Sequence, residues 1–290
     1  MQEQAFRFGR ARHLIGVAGL PPAPQGAVGA STIGVIVLNA GLVHRVGPFR
    51  LHVELTRRLN ASGYPTLRFD FSTVGDSGAS GESQSREQQI IADANDAMTL
   101  LRRQAGCTRF VLIGLCSGAQ NAHTVACVDD KVAGAVFLDG YAYRTFGYRL
   151  RHYLPRLIDL ARWRRLLSLH RRSAEKVRGE PVFSTVPSPQ TVVRADLAGM
   201  VERGMHLCLI YSGGINMFFN HARQFRECFG EVMVHPRVST RFVRETDHTY
   251  VLVDDRKRLI DQIDGWLLSN FPLAQAAAAP VMRAELETLP

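Results

Sequence analysis

Short apolar runs recur along this chain, and between them apolar residues fall at helical spacing. Residues 33–38 are continuous, apolar and β-branched, as a strand covered on both faces requires. Residues 64–69, 110–115, 132–138, 207–211 and 238–243 read the same way, and 5–18 supplies one or two edge strands. Residues 49–61, 87–104 and 255–269 carry a helical period, the first closing on Ser62-Gly63. Pro21-Pro22-Ala23-Pro24 makes a connector, and 70–86, rich in Gly and Ser, makes a long loop. Strands alternating with helices predict an α/β fold with a mostly parallel sheet and helices on both faces. In such sheets reactive groups collect at the C-terminal ends of the strands.

One such end carries Gly114-Leu115-Cys116-Ser117-Gly118. A buried strand leads into it, and a segment free of Pro and Gly follows Ala119 and reads as a helix. Strand, sharp turn and helix are the setting in which Gly-x-nucleophile-x-Gly presents its central side chain. With Cys116 central the flanks are Gly114 and Gly118; with Ser117 central they are Leu115 and Ala119, and a Leu fits a tight turn poorly. Cys116 is therefore the expected nucleophile. The helix N-terminus beside it favours the thiolate. A small buried core cysteine is the plain alternative, but it leaves the two glycines without a reason.

Composition narrows the class. The chain has 290 residues, with 46% hydrophobic and 21% charged, which fits a globular protein with a substantial core. No apolar run approaches a membrane span, and residues 1–12 lack an apolar core of secretory length, so a cytoplasmic location is expected. The five cysteines are odd in number and form no C-x-x-C, which suits reduced thiols. No phosphate-binding glycine loop and no metal-ligand spacing stand out, so neither cofactor nor metal is expected. The net charge of +9 is local. Between Arg144 and Arg178 eleven Lys/Arg face two acids, Asp159 and Glu175, an excess equal to that of the whole chain.

Several segments, taken in order, resemble the α/β-hydrolase family over most of the chain: Asn39-Ala40-Gly41 after the run 33–38, Arg68-Phe69-Asp70 through Ser77, the pentapeptide, and Asp247-His248 before the last helix. Residues 39–45 and 114–119 are similar to the serine-aminopeptidase-like bacterial group, including hydrolases linked to exosortase systems. A cysteine in the elbow is also similar to dienelactone hydrolases and polyhydroxyalkanoate synthases. The resemblance implies an α/β-hydrolase fold with His248 as base and an oxyanion hole built from Ser117 and from Ala40, Gly41 or Leu42. His123, seven residues past Cys116, is a second candidate base. The family most often carries its acid after the strand read at 207–211, but 212–220 contains none. Some members carry it one strand earlier, where Asp139 stands. Asn216 is the alternative, giving a Cys-His-Asn set like that of papain-type proteases. Asp247 adjoins His248 too closely to reach its ring.

The resemblance also divides the chain into a core at 1–140 and 205–272, a basic helical cap at 141–204, and a loose tail at 273–290. Leu150, Leu154, Leu157, Ile158 and Ala161 recur at helical spacing among the arginines, which gives the cap an apolar underside. The expected activity is an acyl-transferring hydrolase, of esterase or thioesterase type, acting through a Cys116 acyl-enzyme. An acyltransferase and a non-catalytic docking protein are the alternatives. The basic segment reads either as a solvated helical face or as a surface for an anionic group, such as an acidic acyl carrier protein. Nucleic acid is not expected, because aromatics are sparse there.

Overall fold

The computed structural model of the chain describes residues 2–21, 32–158 and 188–273. Its strands are β1 (Gln2–Phe8), β2 (Leu14–Leu20), β3 (Thr32–Leu38), β4 (Thr66–Asp70), β5 (Cys107–Leu115), β6 (Val132–Leu138), β7 (His206–Ser212) and β8 (Val238–Val243). They form one sheet in the order β1-β2-β4-β3-β5-β6-β7-β8. β1 pairs antiparallel with β2, and β2 antiparallel with β4. Every other neighbouring pair is parallel. This is the α/β-hydrolase fold class that the sequence predicts.

The helices are α1 (Leu51–Ala61), α2 (Arg86–Ala105), α3 (Ser117–Val128), α4 (Phe146–Ile158), α5 (Gln190–Glu202), α6 (Gln224–Phe229) and α7 (Val253–Asn270). Side chains alternate across a strand, so each strand serves two cores. In β3, Ile36 and Leu38 pack with residues of α2, α3 and α5, whereas Val35 and Val37 pack with Leu55 and Leu59 of α1 and Ile263 and Leu267 of α7. The start of α2 is written in the sequence. Ser85 accepts from the Gln88 amide while the Gln88 side chain accepts from the Ser85 amide, a reciprocal cap, and Gly106 ends the helix in the left-handed region.

Two helices are absent from the sequence reading. α5 starts at Pro189 and buries Val193, Leu197, Met200 and Val201 at helical spacing. It returns the chain from β6 to its parallel neighbour β7, a crossover that such pairing requires. Residues 190–202, expected in the cap, thus pack into the core. α6 has six residues, too few for a period to register. Most of the basic run, from Arg162 to Arg178, and the connector at Pro22 to Pro24 lie outside the described residues.

The loop after β4 is tethered where it begins. The buried Asp70 carboxylate accepts from the Arg45 amide and guanidinium and from the Asp76 amide. Ser77 donates to the Asp70 carbonyl and accepts from the Ile15 amide. Removing one partner of such a pair leaves the other charge uncompensated. Asp70→Ala is expected to lower the unfolding free energy by about 3 kcal/mol in urea titration. Gly265, exposed in α7 with open space around its Cα, gives the opposite sign: Gly265→Ala is expected to add about 1 kcal/mol.

Candidate active site

β5 and α3 meet with their backbones in contact. A Cβ on Gly114 would lie 2.1 Å from the Gly118 carbonyl oxygen, and one on Gly118 would lie 2.9 Å from the Asn39 oxygen and 3.0 Å from the Leu38 oxygen. No other residue fits either position. The chain turns between them at Cys116, whose φ of 55° and ψ of −117° are strained for a side chain with a Cβ. The Cys116 amide donates to the Leu138 carbonyl at 2.8 Å, which ties the turn to β6. The residue at the apex is Cys116; Ser117 is the first residue of α3.

Asp139 and His248 come to Cys116 from the ends of β6 and β8. Asp139 has φ 47°, a left-handed conformation that aspartate tolerates, and its amide donates to the Ile210 carbonyl. Its carboxylate is fully buried. Oδ1 accepts from the Ser212 amide at 2.6 Å; Oδ2 accepts from the Ser212 hydroxyl at 2.6 Å and pairs with His248 Nδ1 at 2.8 Å. The turn holding His248 lies against the loop after β7 so closely that a Cβ on Gly214 would sit 2.2 Å from the His248 nitrogen.

With Nδ1 on Asp139, the other ring nitrogen is left for Cys116. The hydrogen bond to Asp139, then the one to Cys116, raise His248 to about 10 against the opposing pull of burial. The His248 hydrogen bond and charge, with the Ser117 amide, hold the Cys116 thiol below its ordinary value despite burial. The other thiols go the opposite way: burial pushes Cys107, Cys127 and Cys208 up to about 12 and Cys228 to about 11. Both shifts run in the direction of a thiolate–imidazolium pair, and the Cys116 sulfur sits at the N-terminus of α3, which favours negative charge.

The remaining candidates fall elsewhere. Asn216 sits in the turn after β7, where its amide bonds the Gly213 carbonyl and its carbonyl accepts from Tyr148; the place at Nδ1 belongs to Asp139. His123 lies seven residues along α3, a rise of about 10 Å, and faces Cys127 and Asp196. Asp247 caps its own turn through Thr249 and Val251. Ala40, Gly41 and Leu42 form a turn closed by the Val43 amide on the Ala40 carbonyl, and the Gly41 amide donates to the Ser117 hydroxyl at 2.5 Å. Sequence reasoning overlooked Ser212, which gives both its donors to Asp139. The signal was a hydroxyl standing at the strand end where an acid was sought. It also passed over Gly213-Gly214, whose missing side chains admit the His248 loop.

Exposed apolar side chains follow four of the strand ends. Leu42, Phe146, Met217 and Leu252 follow β3, β6, β7 and β8, and they are 66%, 82%, 62% and 63% exposed. A cavity behind the elbow, bordered by Ala119, Gly140, Tyr141, Val193 and Phe229, holds about 10 Å³, room for one water. Of the described arginines in the basic segment, Arg144 stacks on Phe218 at 5.0 Å and Arg151 pairs with Glu227 at 2.8 Å. Among the described residues, one group has donors placed for a metal: His123, Cys127 and Asp196. No helix among the described residues is long and apolar enough to cross a membrane.

A model described as the alpha/beta hydrolase family matches residues 35–290. No curated protein matches the chain. Among solved structures, an esterase of Pyrococcus furiosus superposes with TM-score 0.60 at 18% identity, covering 92% of this chain and 91% of its own. The alpha/beta hydrolase GrgF of a Penicillium species gives 0.59 at 13% identity over 94% and 100%. A putative hydrolase of Agrobacterium vitis gives 0.56 at 17% identity over 91% and 98%. At these identities the likeness is one of fold.

The electrostatics can be checked by alkylation. A thiol held down by an imidazolium keeps its thiolate as pH falls below the ordinary thiol range of about 8.5. Mass-resolved iodoacetamide labelling of Cys116 is expected to stay fast at about pH 6.5 and to lose that low-pH reactivity in His248→Ala. Coincident profiles would show that the ring does not hold the thiolate.

Proposed function

The chain belongs to the alpha/beta hydrolase family, and on that premise we propose that it is an acyl-transferring hydrolase, of esterase or thioesterase type, working through a Cys116 acyl-enzyme. The observation that carries the reading is the continuous link from the buried Asp139 carboxylate through the His248 ring to a lowered Cys116 thiol.

Each group has a task that follows from its position. The Cys116 thiolate attacks the acyl carbonyl carbon, and the carbonyl electron pair moves onto oxygen. The Ser117 amide, which lies on the sulfur in the free site, and an amide from the turn 40–42 stabilise that oxyanion. Collapse breaks the bond to the leaving alcohol or thiol, which takes its proton from the imidazolium. Water then attacks the thioester, gives a proton to His248, and releases the acid and the Cys116 thiolate. Asp139 keeps the ring in the tautomer that both steps require.

The substrate class follows from the surroundings. The exposed Leu42, Phe146, Met217 and Leu252, which follow four of the strand ends, offer apolar surface to an acyl group. The acyl donor is either a small molecule or an acyl group on an acidic carrier docked at the basic segment. Arg144 and Arg151 are already engaged within the chain, so a carrier would use the other arginines. An alcohol or amine acceptor replacing water makes the same intermediate an acyltransferase.

With p-nitrophenyl esters and acyl thioesters, a burst of product and an acyl adduct on Cys116 by intact and peptide mass spectrometry are expected. Cys116→Ala abolishes both. Asp139→Asn lowers turnover by roughly 10²–10⁴-fold while leaving the fold intact, and Asn216→Ala leaves turnover near that of the parent. Full turnover by Cys116→Ala would overturn the proposal.

A further inference from the structure

Beyond the elbow, α3 places His123 and Cys127 four residues apart on one face, and α5 sets Asp196 opposite them. His123 Nε2 lies 3.4 Å from Asp196 Oδ2, and Cys127 Sγ lies 3.8 and 4.0 Å from the two ring nitrogens. One donor atom from each residue falls within 4.8 Å of the others. A tetrahedral zinc with bonds of about 2.0–2.1 Å to N and O and about 2.3 Å to S separates N from O by about 3.4 Å and S from N by about 3.6 Å. The nitrogen–oxygen pair already stands at that spacing, while Cys127 Sγ, nearly equidistant from the two ring nitrogens, must turn toward one of them to complete the set.

We propose that His123, Cys127 and Asp196 form a divalent transition-metal site of zinc type, with water as the fourth ligand, clasping α3 to α5. The chemistry of the donors agrees. One thiolate and one carboxylate cancel the charge of the ion, so the loaded site is neutral, which suits a half-buried position between two helices. A neutral imidazole offers either ring nitrogen as a ligand. On coordination the Cys127 S–H bond breaks, the sulfur keeps the electron pair, and one proton leaves to solvent. The Asp196 side chain is 30% exposed, which opens a path for the ion. The Tyr141 ring meets the His123 ring edge-on at 5.1 Å and fixes its plane.

The sequence reading expects no metal because no metal-ligand spacing stands out along the chain. The site's third donor sits on a helix that the same reading does not contain. The site shares no ligand with the Cys116–His248 pair, so binding itself tests it without reference to turnover.

The full chain, carrying no histidine tag, is stripped with a chelator and titrated with Zn²⁺ in competition with a chromophoric indicator, and separately with Co²⁺. One equivalent is expected to bind, and Co²⁺ is expected to give a near-ultraviolet thiolate-to-cobalt band with the visible bands of a tetrahedral ion. Cys116→Ser keeps these signals. Cys127→Ser loses the charge-transfer band. Asp196→Asn, isosteric and part-exposed, keeps the fold by circular dichroism and weakens Zn²⁺ binding by at least about tenfold. Three results overturn the proposal: no stoichiometric metal, an unchanged band in Cys127→Ser, or loss of the band in Cys116→Ser, which would place the ion on the elbow cysteine.

Discussion

The structure hangs on a contact that leaves no room for a methyl group. Gly114 and Gly118 let β5, α3 and the end of β3 touch through backbone atoms alone. That approach forces Cys116 into a conformation costing on the order of 1–3 kcal/mol. The cost is offset by the hydrogen bond from the Cys116 amide to Leu138 and by the first turn of α3 closing on the Cys116 carbonyl. Three consequences follow from the one contact. The thiol stands clear of the sheet, it lies at a helix N-terminus, and the adjacent turn at 40–42 comes within reach of Ser117.

The second constraint concerns the acid. Ser212 occupies the strand end where the resemblance places a carboxylate, and it acts instead as a double donor to the carboxylate of the neighbouring strand. Buried charge needs such partners. Asp139 meets the need with the Ser212 amide, the Ser212 hydroxyl and the His248 ring. Moving the acid from β7 to β6 thus leaves the ring contact intact, because β7 supplies the support that it would otherwise have supplied as charge.

Much of this was legible in the sequence. The apolar runs of β3, β5, β6 and β7 are buried on both faces, so their composition announces them without an alternating pattern. The Ser85–Gln88 cap and the elbow glycines are local rules, readable as written. What escaped depends on tertiary approach. Asp139 and Asn216 differ by which strand end reaches Nδ1, and no spacing encodes that. α5 follows a basic stretch and two prolines, Pro187 and Pro189, and its apolar residues are diluted by Ala and Gly. With α5 unread, Asp196 could not be joined to His123 and Cys127.

The His248 ring pulls the Cys116 thiol below its ordinary value. A serine in this elbow would be neutral until attack, and its base would act at that moment. The Cys116 thiol is lowered by the ring, so the ring must be held in place, which suits a fully buried Asp139 fixed from two directions. The segments that follow β3, β6, β7 and β8 carry the exposed Leu42, Phe146, Met217 and Leu252. The elbow is set by the sheet, which cannot move without breaking the glycine contact, whereas these exposed residues can change without touching it.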